Sequence, residues 1–290
     1  MPEDDPSHPR RDRPSGVSVF RPGQTKDHGP LDIDIDVGRD IFTESFPLAL
    51  FNPARVWESL NAVSLEADIL ARNGLFTKTT ESRVGPTFDI LRTRVAQAMA
   101  ANGWRRLAIT APTHGCGSSF TAANLALALA RRPGSRTVLI DLDLRRPNLH
   151  RLFGLPPTGA LRDFLDGTQP MESLFVRIGH SLALGLNAEP VPDAGDVLHA
   201  PDTRDALQAM EVQLDPELVL VDLPPTLVGD DVIAMADKVD AVLLVADATK
   251  TTAKDIRACE QMFAGKVPLL GVVLNQAQDT GLGNLRYGKR

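Results

Sequence analysis

TAPTHGCGSSFTAAN, residues 110–124, is where the chain changes character: an apolar run over residues 107–110 leads in, and an Ala/Leu-rich run leads out. A strand, a glycine-rich turn and a helix N-terminus in that order present backbone N–H groups that can hold a phosphate. Gly115 and Gly117 suit such a turn, because glycine tolerates φ > 0 and lets an anion approach the backbone. A phosphate loop normally carries a lysine just before its Ser/Thr, where it reaches the β- and γ-phosphates. Here Ser118 takes that place and Ser119 follows. A tight strand-to-helix turn without any ligand has the same local signature, so the flanking sequence has to decide.

Downstream, residues 120–131 are predicted as a helix that stops at Arg131-Arg132-Pro133-Gly134, its arginines at the negative end of the helix dipole. The strand over residues 137–140 runs into Asp141-Leu142-Asp143. Apolar residues ending in carboxylates mark a buried parallel strand whose C-terminal edge opens on a site. Aspartates two apart on a strand point the same way, so Asp141 and Asp143 are expected to face one metal–phosphate centre. Arg145 and Arg146 come next, placed for phosphate or for a neighbouring subunit's carboxylates. Residues 218–221 repeat the device and end at Asp222, a candidate to orient water or Mg²⁺, after which Pro224 and Pro225 stop the strand. Further strands are predicted over 182–186, 241–246 (ending at Asp247) and 269–274 (ending at Asn275), with helices over 159–165, 202–214, 232–235 and 251–263. Thr249, Thr251 and Thr252 either help hold phosphate or cap the following helix, and a cap needs no ligand. The alternation gives an α/β fold, a mostly parallel sheet with helices on both faces. The ligand crevice then lies where Gly115, Asp141, Asp143, Asp222 and Asn275 converge.

Upstream, residues 86–101 read as a helix with Phe88, Leu91, Val95 and Met99 inward and Arg92 and Arg94 off the stripe. Residues 53–71 read as an outer helix, capped by Asn52 with Pro53 at its first position; Trp57 packs inside or meets a partner. Residues 1–30 hold six prolines among charges and read as a disordered arm. The LDIDIDVG run, residues 31–38, is an edge strand, a docking segment or an acidic linker. The expected organisation is an arm over 1–40, a helical extension and linker over 41–85, the main domain over 86–276 and a tail over 277–290. A net charge of −6 argues against wrapping nucleic acid, though not against a local basic site. The two cysteines, Cys116 and Cys259, are far apart and not a disulfide framework. No run approaches the roughly 18–20 apolar residues of a membrane span. The chain is expected in the cytoplasm, with any contact at the inner membrane made peripherally through a partner.

The runs VLIDLDLRRPNLHRLFG (138–154), VDLPPTLVGDD (221–231) and GVVLN (271–275) together resemble the cytoplasmic domain of the bacterial tyrosine kinases of exopolysaccharide and capsule export, relatives of the ParA/MinD-type deviant P-loop ATPases. The resemblance covers about residues 88–275, and DLDLRRP is its most specific part. It implies a P-loop NTPase-like fold and a site for ATP or ADP with Mg²⁺. Gly115, Cys116, Gly117, Ser118, Ser119 and Phe120 would form the phosphate loop. Ser119, Asp141 and Asp222 would surround the metal; Asp141, Asp143, Asp222 and Arg145 would be the catalytic positions. Asp231 would take the later acidic position and Asn275 would read the adenine. The implied partners are a membrane-spanning polysaccharide co-polymerase and further copies of the chain, whose tyrosines receive the phosphate.

The chain departs from that pattern three times. Ser118 replaces the lysine, which leaves developing charge on the phosphoryl group unneutralised unless His114, Arg145 or another subunit's arginine compensates. Tyr287 is the only tyrosine and so the single possible acceptor, where the family has a tyrosine-rich tail. In the Glu-x-x-Arg-x-x-Arg pattern that joins subunits in a ring, Pro86 and Asp89 replace the first two residues and Arg92 remains. The expected function is therefore a degenerate, pseudokinase-like regulatory or assembly subunit. The alternatives are an active autokinase or ATPase with a compensating cation, and a ParA/MinD-like positioning ATPase.

Overall fold

A computed structural model describes residues 52–78 and 84–277, all within the unit Leu50–Arg290. The arm over 1–40, the 31–38 segment and Tyr287 lie outside the described residues. In chain order the elements are α1 (Pro53–Ser59), β1 (Asn61–Ala62), α2 (Ala67–Arg72), α3 (Gly85–Asn102), β2 (Arg106–Thr110), α4 (Ser118–Ala130), β3 (Thr137–Asp141), α5 (Leu149–Phe153), α6 (Leu161–Leu165), α7 (Met171–Leu174), β4 (Phe175–Ile178) and β5 (Leu182–Gly185). They continue with α8 (Ala194–His199), α9 (Pro201–Leu214), β6 (Leu218–Asp222), α10 (Asp231–Ala234), β7 (Ala241–Asp247), α11 (Ala253–Phe263) and β8 (Leu269–Asn275).

The sheet order is β1-β4-β5-β3-β6-β2-β7-β8. From β5 to β8 every pairing is parallel. β4 runs antiparallel to β5 and carries β1 parallel to itself, so the sheet is mixed at that edge. Period-2 alternation divides the core between two faces. Val138, Ile140, Val219, Val221, Val242 and Leu244 pack on one face under α9 and α11. Leu139, Leu218, Leu220, Leu243 and Val245 pack on the other, against the Ala- and Leu-rich α4, which is buried from Thr121 to Leu129. The same parity directs Asp141 and Asp222 to the α4 face, and the two are register neighbours on adjacent strands.

Two expectations change. The helix over 53–71 is interrupted: Leu60 is extended (φ −61°, ψ 142°), β1 pairs with β4, and α2 restarts at Ala67. Pairing of Asn61 and Ala62 and the Val63 N–H on the Arg177 carbonyl (2.9 Å) supply the backbone partners that a continuous helix would have supplied internally. Trp57 is inward, fully buried, with the Arg136 guanidinium 5.4 Å from its ring centroid. Asp143 does not share a strand with Asp141, because β3 stops at Asp141. Asp141 is fully buried, whereas Asp143 is only partly covered.

Candidate nucleotide site

β2 delivers the glycine turn to the start of α4. Gly115 (φ +77°) and Gly117 (φ +88°) are both left-handed, and Gly117 is the N-cap, so the turn needs a residue without a β-carbon at both places. A β-carbon on Gly117 would overlap the Asn275 amide nitrogen. The turn is fixed from both sides. Asn275, at the end of β8, donates through Nδ2 to the Cys116 carbonyl (2.9 Å), and Gln276 donates to the Gly115 carbonyl (3.2 Å). On the other side, the Thr226 and Leu227 N–H groups donate to the Ala111 and Pro112 carbonyls (2.8 and 3.1 Å), and the Thr110 hydroxyl donates to the Pro224 carbonyl (2.6 Å). The segment after β6 therefore keeps bonding to the turn beyond its two prolines.

Asp141 spends Oδ2 on the N–H groups of Asn148 and Leu149 at the start of α5 (3.1 and 3.0 Å). Its Oδ1 is buried with no hydrogen-bond partner among the described residues. Burial pushes its pKa up to about 7; the nearby charge of Asp143 adds to this and the two N–H groups oppose it. Asp222 is wholly buried, and burial together with the adjacent Asp141 drives its pKa well above the usual carboxylate range. The Ser119 hydroxyl nearby opposes that rise, while both Asp222 oxygens are buried with no hydrogen-bond partner among the described residues. Two buried carboxylates with three unpartnered oxygens beside a serine hydroxyl are a donor set suited to a hard divalent cation. Among the described residues no three His, Cys, Asp or Glu side chains form a complete metal cage, so a Mg²⁺ there needs phosphate or water oxygens as well.

A cleft of about 560 Å³ opens beside the turn, lined by Gly115, Ser118, Ser119 and Phe120 of the turn and α4 and by Asp143, Arg145, Arg146 and Arg151 of the segment after β3. Asp143 accepts the Arg146 N–H (3.0 Å); burial raises its pKa against the pull of the His114 and Arg146 charges. Arg145 directs Nε to both oxygens of the buried Asp231 (3.0 and 2.9 Å) and brings a second nitrogen to 3.8 Å from Asp230. Phe120 packs edge-on to Phe88 (6.1 Å), which meets Phe76 (5.6 Å), so its ring belongs to an aromatic cluster although it also lines the cleft.

The structure thus brings together Gly115, Cys116, Gly117, Ser118, Ser119, Asp141, Asp143 and Asp222. Asn275 is at the site with its amide nitrogen already engaged by the turn, and Arg145 is engaged by acidic side chains. The threonines after β7 are structural: Thr249 binds the Asp247 carboxylate, Thr251 accepts the Asp247 N–H, and Thr252 forms a capping box with Asp255 on α11. Lys250 went unremarked in the sequence. Its ammonium stands 3.3 Å from where a Gly115 β-carbon would lie and 3.3 Å from an Asp247 oxygen. A lysine in the loop following a central strand was the available signal.

Residues 105–280 match the ParA family, described as NUBPL iron-transfer P-loop NTPase, and so more than half of the chain is covered. The chain belongs to the ParA family of P-loop NTPases. Among relatives, EpsB of Ralstonia nicotianae is 33% identical over 205 residues, covering 69% of this chain and 26% of EpsB. The tyrosine-protein kinase YwqD of Bacillus subtilis is 28% identical over 208 residues, 71% of this chain and 86% of YwqD. The solved kinase domain of Escherichia coli tyrosine kinase ETK superposes with a TM-score of 0.60 at 28% identity, covering 69% of this chain and 78% of that one. The chain spans about a quarter of the length of EpsB. Among the described residues no helix is long and apolar enough to cross a membrane.

Proposed function

We propose that the chain is a Mg-nucleotide-binding relative of the bacterial tyrosine kinases with weak or absent phosphoryl transfer, acting as a regulatory or assembly subunit for polysaccharide synthesis and export beside a membrane-spanning co-polymerase. One observation carries this reading: α4 begins with Ser118 in the lysine's place, while the glycine turn, Ser119, Asp141 and Asp222 keep an arrangement suited to phosphate and Mg²⁺. Backbone N–H groups at the start of α4 would hold the β-phosphate. Bound Mg²⁺ would supply neutralising charge between the phosphates. Ser119, Asp141 and Asp222 would hold the ion, whose charge would favour the ionised form of both carboxylates. A neutral Ser118 hydroxyl gives no cation where charge develops in the transition state, and loss of one such stabilising group costs on the order of a hundredfold or more in rate.

Ring assembly through α3 is weakened on the same reading. Asp89 pairs within the chain with Arg131 and with Arg92 (3.4 Å), and Arg92 donates to the Ala128 carbonyl (3.2 Å), so these groups are turned onto α4. Calorimetric titration with Mg-ADP and Mg-ATP tests the binding half, and phosphate incorporation at Tyr287 tests the other. The expected result is measurable binding with negligible incorporation; incorporation comparable to that of an active tyrosine kinase would refute the proposal. The basic side chains lining the cleft favour a second reading, an active enzyme with a compensating Arg145 or His114. In a chain that does turn over ATP, undiminished rates after Arg145→Ala or His114→Ala would exclude each in turn.

A further inference from the structure

We propose that Arg146, supported by Arg151, reads the terminal phosphate of ATP in place of the missing loop lysine, making the chain a discriminator of ATP from ADP. This rests on the nucleotide-binding reading above. The basic side chains around the turn are His114, which stands near Asp143, and Arg145, Arg146, Arg151 and Lys250, and their surroundings separate the last four. Arg145 is held by Asp231 and Asp230. Lys250 sits against Asp247 on the β7 side of Gly115 and is not part of the cleft wall. Arg146 and Arg151 both line the cleft, are exposed, and make no ion pair or side-chain hydrogen bond with the described residues.

The backbone anchors Arg146, while its guanidinium, whose charge acts on Asp143, makes no ion pair or hydrogen bond with the described residues. Its N–H bonds Asp143 Oδ1 (3.0 Å), and the buried Pro147 follows with its φ fixed by the ring. The Asn148 and Leu149 N–H groups then bond Asp141, tying the start of α5 to the acidic centre. Both arginines therefore rise from one rigid segment facing the start of α4 across the cleft. The diphosphate of ADP can be satisfied by the turn alone. A third phosphate would have this wall of the cleft within reach, where a guanidinium could bind two of its oxygens together. Such a contact exists equally with bound ATP and in the transition state, so it gives affinity and selectivity without accelerating transfer.

Calorimetry on the full chain with Mg-ATP and Mg-ADP tests this in the wild type, Arg146→Ala, Arg146→Lys, Arg151→Ala and the double alanine variant. The wild type should prefer ATP. Arg146→Ala should weaken ATP binding roughly tenfold to a hundredfold, the range of a lost charged hydrogen bond, and leave ADP binding within about twofold. The double variant should lose the preference, and Arg146→Lys should recover part of it. Unchanged melting temperatures would show that the exposed substitutions spare the fold. If the alanine variants keep the wild-type ATP-to-ADP ratio, or if the wild type binds both nucleotides equally, the inference fails while the nucleotide site stands. If the wild type binds neither, the nucleotide reading itself fails and takes this one with it.

Discussion

Gly117 and Gly115 have the same left-handed conformation but different neighbours, and the difference is measurable. Placing an L side chain in that region costs roughly 1–2 kcal/mol. At Gly115 the nearest atom is the flexible end of Lys250, so Gly115→Ala should cost about that amount in urea unfolding. At Gly117 the added carbon would displace the Asn275 amide that ties β8 to the turn, so Gly117→Ala should cost about 1 kcal/mol more through the lost hydrogen bond. Equal losses would mean that the Asn275 tie contributes nothing. Asp141 gives a pH prediction. Its folded pKa, about 7, lies above the ordinary 3.8, so the folded state binds the proton more tightly than the unfolded state. Stability from this group is present below about pH 4 and is lost as pH rises toward 7. Asp141→Asn should therefore raise the unfolding free energy of the nucleotide-free protein at pH 8 by on the order of 4 kcal/mol, with the gain shrinking to nothing near pH 4. A gain that is constant with pH would show that Asp141 is not the titrating group.

At the scale of elements, the capping box at the start of α11 is independent of the phosphate turn. Thr252→Ala should cost about 1 kcal/mol in unfolding free energy and leave Mg-nucleotide affinity unchanged. A large affinity loss would return the threonine to a ligand-binding role. The central strands were legible because β2, β3, β6 and β7 are continuous apolar runs that end at the sheet edge in Thr110, Asp141, Asp222 and Asp247. β1 and β4 were not: two and four residues are too short for a period to declare itself, and β1 pairs only with β4, more than a hundred residues away, although β4 also pairs with its chain neighbour β5. The break between α1 and α2 has the same origin, because the apolar spacing of Val56, Leu60, Val63 and Leu70 stays compatible with one helix until the contact with β4 is known. At the site, Asp141 and Asp222 could be read from the strand ends. The pairing of Arg145 with Asp231, at the start of α10, and the approach of Lys250 to Gly115 join segments distant in sequence, and nothing local encodes them.

On the scale of the whole molecule, the segment before α3 is built into the domain. Trp57 is fully buried, Asn73 donates to the Arg151 and Leu152 carbonyls (3.0 and 2.9 Å), and Asn124 of α4 bonds both Phe76 and Gly74. Trp57→Ala should destabilise by about 3–5 kcal/mol, as for a large buried aromatic, and a loss under 1 kcal/mol would mean that the segment is only loosely applied. The fold thus holds the turn, the carboxylates and α5 in one framework, and Ser118 changes a charge within that framework rather than its shape. The most direct test of nucleotide held without phosphoryl transfer is phosphate release at saturating Mg-ATP, measured side by side for the wild-type chain and Ser118→Lys. The expected result is background release by the wild type and a rise of roughly a hundredfold in the lysine variant; wild-type release equal to or faster than that of the variant would contradict it.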